Sequence, residues 1–277
     1  MGDIAGLFGR GTSGEGCDAG SLELPGVQRQ LVEQLLATGK PVILVLLTGR
    51  PYAVGWAIER CAAVVSSLFP GQEGAQAMVG VLSGRINPSG RLPVSLPRLA
   101  GAQPYSYLDP RLGAVSSVSN LDTAPVLPFG HGLSYTSFGY TDLRLSEDAV
   151  LTGAAFTATV RVRNTGGRAG ADIVQLYGQD VFASVTRPVV QLLGYARVHP
   201  EAGENADATF DVPTTRFAFS DRRMVRVVEP GLVDVSAGAS CAELVLTESI
   251  TLTGEVYEVG IQDRRQVGVS VRGFAGE

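Results

Sequence analysis

The sequence predicts two folds in one chain: an α/β layer with a parallel sheet in the first hundred residues, then an all-β sandwich. Three observations carry this. Val42–Leu47 is apolar at every position, and Ala62–Phe69 has the same character, as strands covered on both faces have. Stretches of helical period lie before, between and after these runs. Beyond Tyr140 the period falls to two, with turn residues between short segments. A length of 277 residues suits about two domains.

In chain order, Val27–Thr38 is the first predicted helix. Val27, Leu31 and Leu35 recur at i, i+4 and i+8 and form its expected inward stripe, with Gln28, Arg29, Gln30, Glu33 and Gln34 on the other side. Pro25 suits its first turn and Gly39 its C-terminal cap. The first apolar strand follows. Thr48-Gly49-Arg50-Pro51 then breaks the chain before a short helical stretch around Val54–Glu59. After the second strand, Pro70-Gly71-Gln72-Glu73-Gly74 opens a helix with Met78, Val79 and Leu82 inward and Gly84 closing it. Glu73 complements the dipole at its start. Arg91-Leu92-Pro93-Val94 is expected to return toward the sheet. Strand–helix–strand–helix order implies right-handed crossovers and a ligand site outside the carboxyl ends of the strands. The turns at Thr48–Pro51 and Pro70–Gly74 lie at those ends.

Ala100–Gly132 shows no period and contains four spaced prolines, the pattern of a long functional loop or a linker. In the second half, Phe156, Ala158, Val160 and Val162 alternate with Thr157, Thr159, Arg161 and Arg163. Asn164-Thr165-Gly166-Gly167 then turns the chain. Ala206, Ala208, Phe210 and Val212 alternate again, as do Val233, Val235 and Ala237. This is sandwich patterning, and it says nothing of function.

Composition narrows the function classes. The net charge is −5, and the arginines are scattered along the chain, so no basic stripe is available for nucleic acid. The longest apolar run is far too short to span a bilayer, and Met1-Gly2-Asp3-Ile4 has no signal-peptide character. The expectation is a soluble chain with neither nucleic acid nor membrane as partner; its compartment is left open, with the cytoplasm favoured over export. Three cysteines, Cys17, Cys61 and Cys241, have no metal-like spacing and make no disulfide framework. No metal or other cofactor is expected. The absence of a Gly-x-Gly-x-x-Gly run after a strand argues against a nucleotide-binding domain.

The chain is organised around Arg10-Gly11-Thr12-Ser13-Gly14-Glu15-Gly16-Cys17-Asp18, two carboxylates in a glycine-rich run that can project a side chain from a surface. Its bland reading is a solvated charge. Further motifs follow in order: Leu22-Glu23-Leu24-Pro25-Gly26, Pro70-Gly71-Gln72-Glu73-Gly74, Asn87-Pro88-Ser89-Gly90-Arg91-Leu92-Pro93 and Phe129-Gly130-His131-Gly132-Leu133-Ser134-Tyr135-Thr136. The second half adds Asn164-Thr165-Gly166, Val174-Gln175-Leu176-Tyr177 and Val228-Glu229-Pro230-Gly231. Together these resemble the C-terminal part of family 3 glycoside hydrolases, the β-glucosidases and β-xylosidases.

The resemblance implies a partial α/β sandwich domain over residues 1–132, with the long loop at 100–132. A fibronectin type III-like β-sandwich follows over 133–250, and a C-terminal extension over 251–277. It implies a retaining mechanism in which an Asp on a preceding (β/α)₈ barrel is the nucleophile and Glu15 the general acid/base. Asp18 and Arg50 become candidate substrate contacts, although Arg50 can equally bond groups within its own turn. Cys17 replaces the family's usual aromatic, and His131 stands where a Tyr is common. The implied substrate is a β-linked oligosaccharide or glycoside, and the implied partner is the barrel, in cis or in trans. The family's α/β domain would begin before Met1, so the chain would lack the nucleophile and be inactive alone. A non-catalytic accessory, scaffold or carbohydrate-binding role is the alternative.

Overall fold

The structure is a computed structural model and describes residues 20–101, 106–110, 117, 122 and 124–274. The chain divides into two compact units. Among the described residues, the first takes in 20–86, 94–101, 106, 117, 122 and 124–128. The second takes in 87–93, 107–110 and 129–274.

The first unit has the predicted order. Helix α1 (Gln28–Ala37) is followed by strand β1 (Ile43–Leu47), a one-turn helix α2 (Gly55–Ile58), strand β2 (Ala63–Ser67) and helix α3 (Gly74–Leu82). The two strands are parallel, in register from Ile43 opposite Ala63 to Leu47 opposite Ser67. Gly39 stops α1 with φ +71°, a left-handed cap that suits a residue without Cβ.

Packing of this unit departs from the sequence expectation in four places. The stripe Val27, Leu31 and Leu35 is 70%, 60% and 47% exposed, whereas Val32 is buried. Adjacent stripes on a helix lie only about 100° apart, so the pattern does not say which one docks. Here the side bearing Val32 turns inward with Arg29, which bonds Glu33 (2.9 Å) and lies over the Trp56 ring (4.9 Å). Strand β1 does not show the burial expected of a strand covered on both faces: Ile43 and Leu47 are exposed, Leu44 and Val45 are half-buried, and Leu46 is buried. In α3, Val79 and Leu82 face outward, and the buried positions are Gly74 and Gly80. Arg91–Pro93 does not return to the parallel sheet but belongs to the second unit.

The second unit is a β-sandwich. Its strands are β3 (Phe138–Leu145), β4 (Ala149–Leu151), β5 (Ala155–Asn164), β6 (Asp172–Asp180), β7 (Gln191–Val198), β8 (Asn205–Pro213), β9 (Phe219–Ser220), β10 (Arg226–Val228), β11 (Gly231–Ser240), β12 (Glu243–Thr253), β13 (Tyr257–Glu258) and β14 (Gly268–Phe274). One sheet has the order β4-β12-β11-β6-β7 and the other β14-β8-β5-β3, with a small sheet β13-β10-β9 beside them. Beyond residue 250, the described chain thus contributes the end of β12, β13 and β14, the last paired antiparallel with β8. The alternating residues close the core as their period requires. Phe156, Ala158, Val160 and Val162 of β5, Ala206, Ala208, Phe210 and Val212 of β8, and Val233, Val235 and Ala237 of β11 are all buried.

Candidate functional site

Glu15, Asp18 and Cys17 lie outside the described residues. What the structure describes of the predicted site is the platform that follows them. Ala53 N–H donates to Leu22 O (2.8 Å), so the stretch from Gly20 runs alongside the turn after β1. Leu24 is buried beneath this stretch. Glu23 is paired with Arg29 (3.3 Å), and its own N–H bonds Ser21 Oγ (3.1 Å). Arg29 thus contacts Glu23, Glu33 and Trp56 at once.

Arg50 sits half-buried in the turn at the carboxyl end of β1. The turn is seated on Tyr52, Ala53 and Val54, all buried, and Thr48 N–H bonds Ser67 O (3.2 Å) at the end of β2. Because β1 and β2 are parallel and in register, the turns carrying Arg50 and Glu73 leave the same end of the sheet. That is where α/β folds place ligand contacts. Glu73 is exposed at the N-terminal end of α3 and makes no capping hydrogen bond to it. Among the described residues, then, Arg50 occupies the predicted rim of the sheet, and Glu73 holds the helix-start position read from the sequence.

Trp56 is a partly buried support, covered by the Arg29 guanidinium. Cys61 and Cys241 are free, and burial pushes the Cys241 thiol up to about 11. Among the described residues, no group of three or more His, Cys, Asp or Glu side chains could hold a metal ion. No helix among them is long and apolar enough to cross a membrane.

The second unit contains a charged site that sequence reading did not single out. Asp172, 1% exposed at the start of β6, accepts hydrogen bonds from Arg91 and from the Tyr140 hydroxyl (2.9 Å). Burial, and then the neighbouring carboxylate, hold the Tyr140 phenol far above its ordinary value. His131 lies close by, its basicity lowered first by burial and then by Arg91, with Glu243 opposing. A lone carboxylate between Ala171 and Ile173-Val174 was the available sequence signal. Its partner, 81 residues away, could not be inferred from it.

Comparison with known proteins assigns the class. Residues 2–135 match the model of the glycosyl hydrolase family 3 C-terminal domain, and residues 172–241 that of a fibronectin type III-like domain. The periplasmic β-glucosidase of Salmonella typhimurium is 38% identical over 245 residues, 85% of this chain and 32% of that protein. A β-xylosidase of Formosa agariphila is 36% identical over 246 residues, 87% of this chain and 34% of that protein. Among solved structures, a β-glucosidase from Erythrobacter marinus superimposes with a TM-score of 0.80 at 38% identity, covering 86% of this chain and 31% of that one. The β-glucosidase of Listeria innocua in complex with glucose gives 0.78 at 32% identity, covering 86% and 34%. The chain belongs to glycoside hydrolase family 3 and corresponds to the C-terminal part of its β-glucosidase- and β-xylosidase-like members. It spans about a third of the length of the curated relatives it matches.

Proposed function

We propose that this chain is the portion of a retaining β-glycosidase that delivers the general acid/base, Glu15. It would act on a sugar held against a nucleophilic Asp of a (β/α)₈ barrel, supplied in cis or in trans. The observation that carries this reading is the family match over residues 2–135, which includes Ser13-Gly14-Glu15-Gly16-Cys17-Asp18 with the other motifs in family order. The chemistry requires a carboxylic acid that protonates the departing glycosidic oxygen and then, as carboxylate, takes a proton from water. A second carboxyl about 5–5.5 Å away must attack the anomeric carbon. On this reading the barrel supplies that second carboxyl, so the chain alone turns over no aryl β-glucoside or β-xyloside. Arg50, at the carboxyl rim of the sheet, and Asp18 are the proposed sugar contacts, and the substrate is a β-linked oligosaccharide or glycoside.

The test uses the chain joined to the N-terminal part of a family relative. Glu15→Ala should abolish hydrolysis of alkyl and sugar leaving groups, which depart only when protonated. Activated aryl glycosides should still form the glycosyl-enzyme, which then accumulates. Azide, a nucleophile that needs no base, should restore turnover and release a β-glycosyl azide. An equal loss on both substrate types with no response to azide would overturn the assignment and leave the accessory role.

A further inference from the structure

Residues Asn87–Pro93 follow α3 after four residues, yet the second unit holds them as a ligand is held. Asn87 Oδ1 accepts from Ser134 Oγ (2.9 Å) and Tyr135 N–H (2.7 Å), while its Nδ2 donates to Ala169 O (3.1 Å). Ser89, buried, accepts from the Arg197 guanidinium (2.6 Å). The carbonyl of Gly90 lies so close to Gly132 that a Cβ there would collide with it. Arg91 reaches the buried Asp172. Leu92 N–H donates to His131 O (2.9 Å), and Gly130 N–H donates to Leu92 O (2.8 Å), so the main chain of Leu92 is bonded through both its donor and its acceptor.

These contacts divide as peptide recognition does. Paired main-chain bonds hold an extended backbone, and side-chain sites set register and specificity. The Asn is read by both its donor and its acceptor, and the Arg by a carboxylate with almost no access to water; the close approach of the Gly90 carbonyl restricts the groove at Gly132, while a Cβ on Gly90 itself would meet open space. Asn87 and Leu92 each precede a proline, which biases both toward extended backbone and lowers the ordering cost of binding.

We propose that this end of the sandwich, formed by residues 130–135, the turn before β6 and the side of β7 bearing Arg197, is a sequence-specific peptide groove. Its ligand is an extended Asn-Pro-Ser-Gly-Arg-Leu segment, and the chain's own strap is an intramolecular occupant that a peptide in trans can replace. A tethered occupant acts at roughly millimolar effective concentration, so exchange becomes visible when the strap is weakened.

The experiment titrates a fluorescently labelled peptide, Asn-Pro-Ser-Gly-Arg-Leu-Pro, into the full chain carrying Asn87→Ala. This substitution removes three hydrogen bonds and leaves Asp172 paired. A Ser89→Ala chain, which loses only the Arg197 bond, serves as the milder variant should the first not fold. Saturable binding is expected, at least tenfold tighter than to the wild-type chain. A peptide with Met in place of Arg should bind at least tenfold more weakly. Hydrogen exchange at the Gly130 amide, which the bound Leu92 carbonyl protects, should slow as peptide is added. Absence of saturable binding to the folded variant overturns the proposal, as does equal binding of the Arg and Met peptides.

Discussion

Replacing Arg91 with Met should be among the most damaging single changes in the second unit, and the geometry sets its size. Asp172 is 1% exposed and the Arg91 side chain 10% exposed, so the pair lies beyond reach of solvent screening. With Arg91 gone, the carboxylate keeps, among the described residues, the Tyr140 hydroxyl and the N–H of Ile173 (both 2.9 Å), neither of which carries a compensating charge. Removing one partner of a buried ion pair costs about 3–5 kcal/mol. At a urea dependence of about 2 kcal/mol per molar, that is a midpoint lowered by about 1.5–2.5 M. Asp172→Leu alone should cost a similar amount, because it strands the guanidinium. The double variant Arg91→Met/Asp172→Leu strands neither charge and should recover most of the loss, giving a coupling of about 2 kcal/mol or more. Urea unfolding followed by far-ultraviolet circular dichroism, on the wild type and all three variants, measures the cycle. If the two single losses simply add in the double variant, or if Arg91→Met costs under about 1 kcal/mol, the pair does not hold the strap and this reasoning fails.

Two further outcomes test the second unit and the first in turn. Burial and Arg91 lower the basicity of His131, so the folded chain prefers the neutral ring. The stability this confers is present above the unfolded-state value, about 6.5, and is lost as pH falls through the lower folded-state value. His131→Gln should flatten that part of the stability–pH curve as pH falls below the unfolded-state value, and an unchanged slope would remove His131 from the account. In α1, Val32→Ala should cost about 1–2 kcal/mol, whereas Leu31→Gln should stay within about 0.5 kcal/mol. Fluorescence of Trp56, the single tryptophan, reports this unit during unfolding; a larger loss at Leu31 would mean that the exposed stripe is the one that docks.

The sandwich was legible residue by residue. Val160 and Phe210 are buried because, in a strand, every second side chain shares one face, and one buried face settles its whole alternating set. The parallel order of β1 and β2 was legible for a related reason: uninterrupted apolar runs joined through a helix permit few other arrangements. The glycine-rich motifs carried the family, and with it the proposal of Glu15 as acid/base, because their residue types and order are properties of the chain itself.

What only the tertiary structure decided are the choices that local pattern leaves degenerate. Helix α1 offers two neighbouring stripes of suitable period, and Arg29 on Trp56 selects the one bearing Val32. Arg91–Pro93 could as well have met the parallel sheet. It meets the sandwich instead because Asp172 waits there, buried and needing a cation, and because Gly132 leaves room for the Gly90 carbonyl. Period and motif are short-range properties that a sequence displays directly. A buried charge finding its counter-ion 81 residues away is decided by desolvation, which exists only once the chain has closed around both groups.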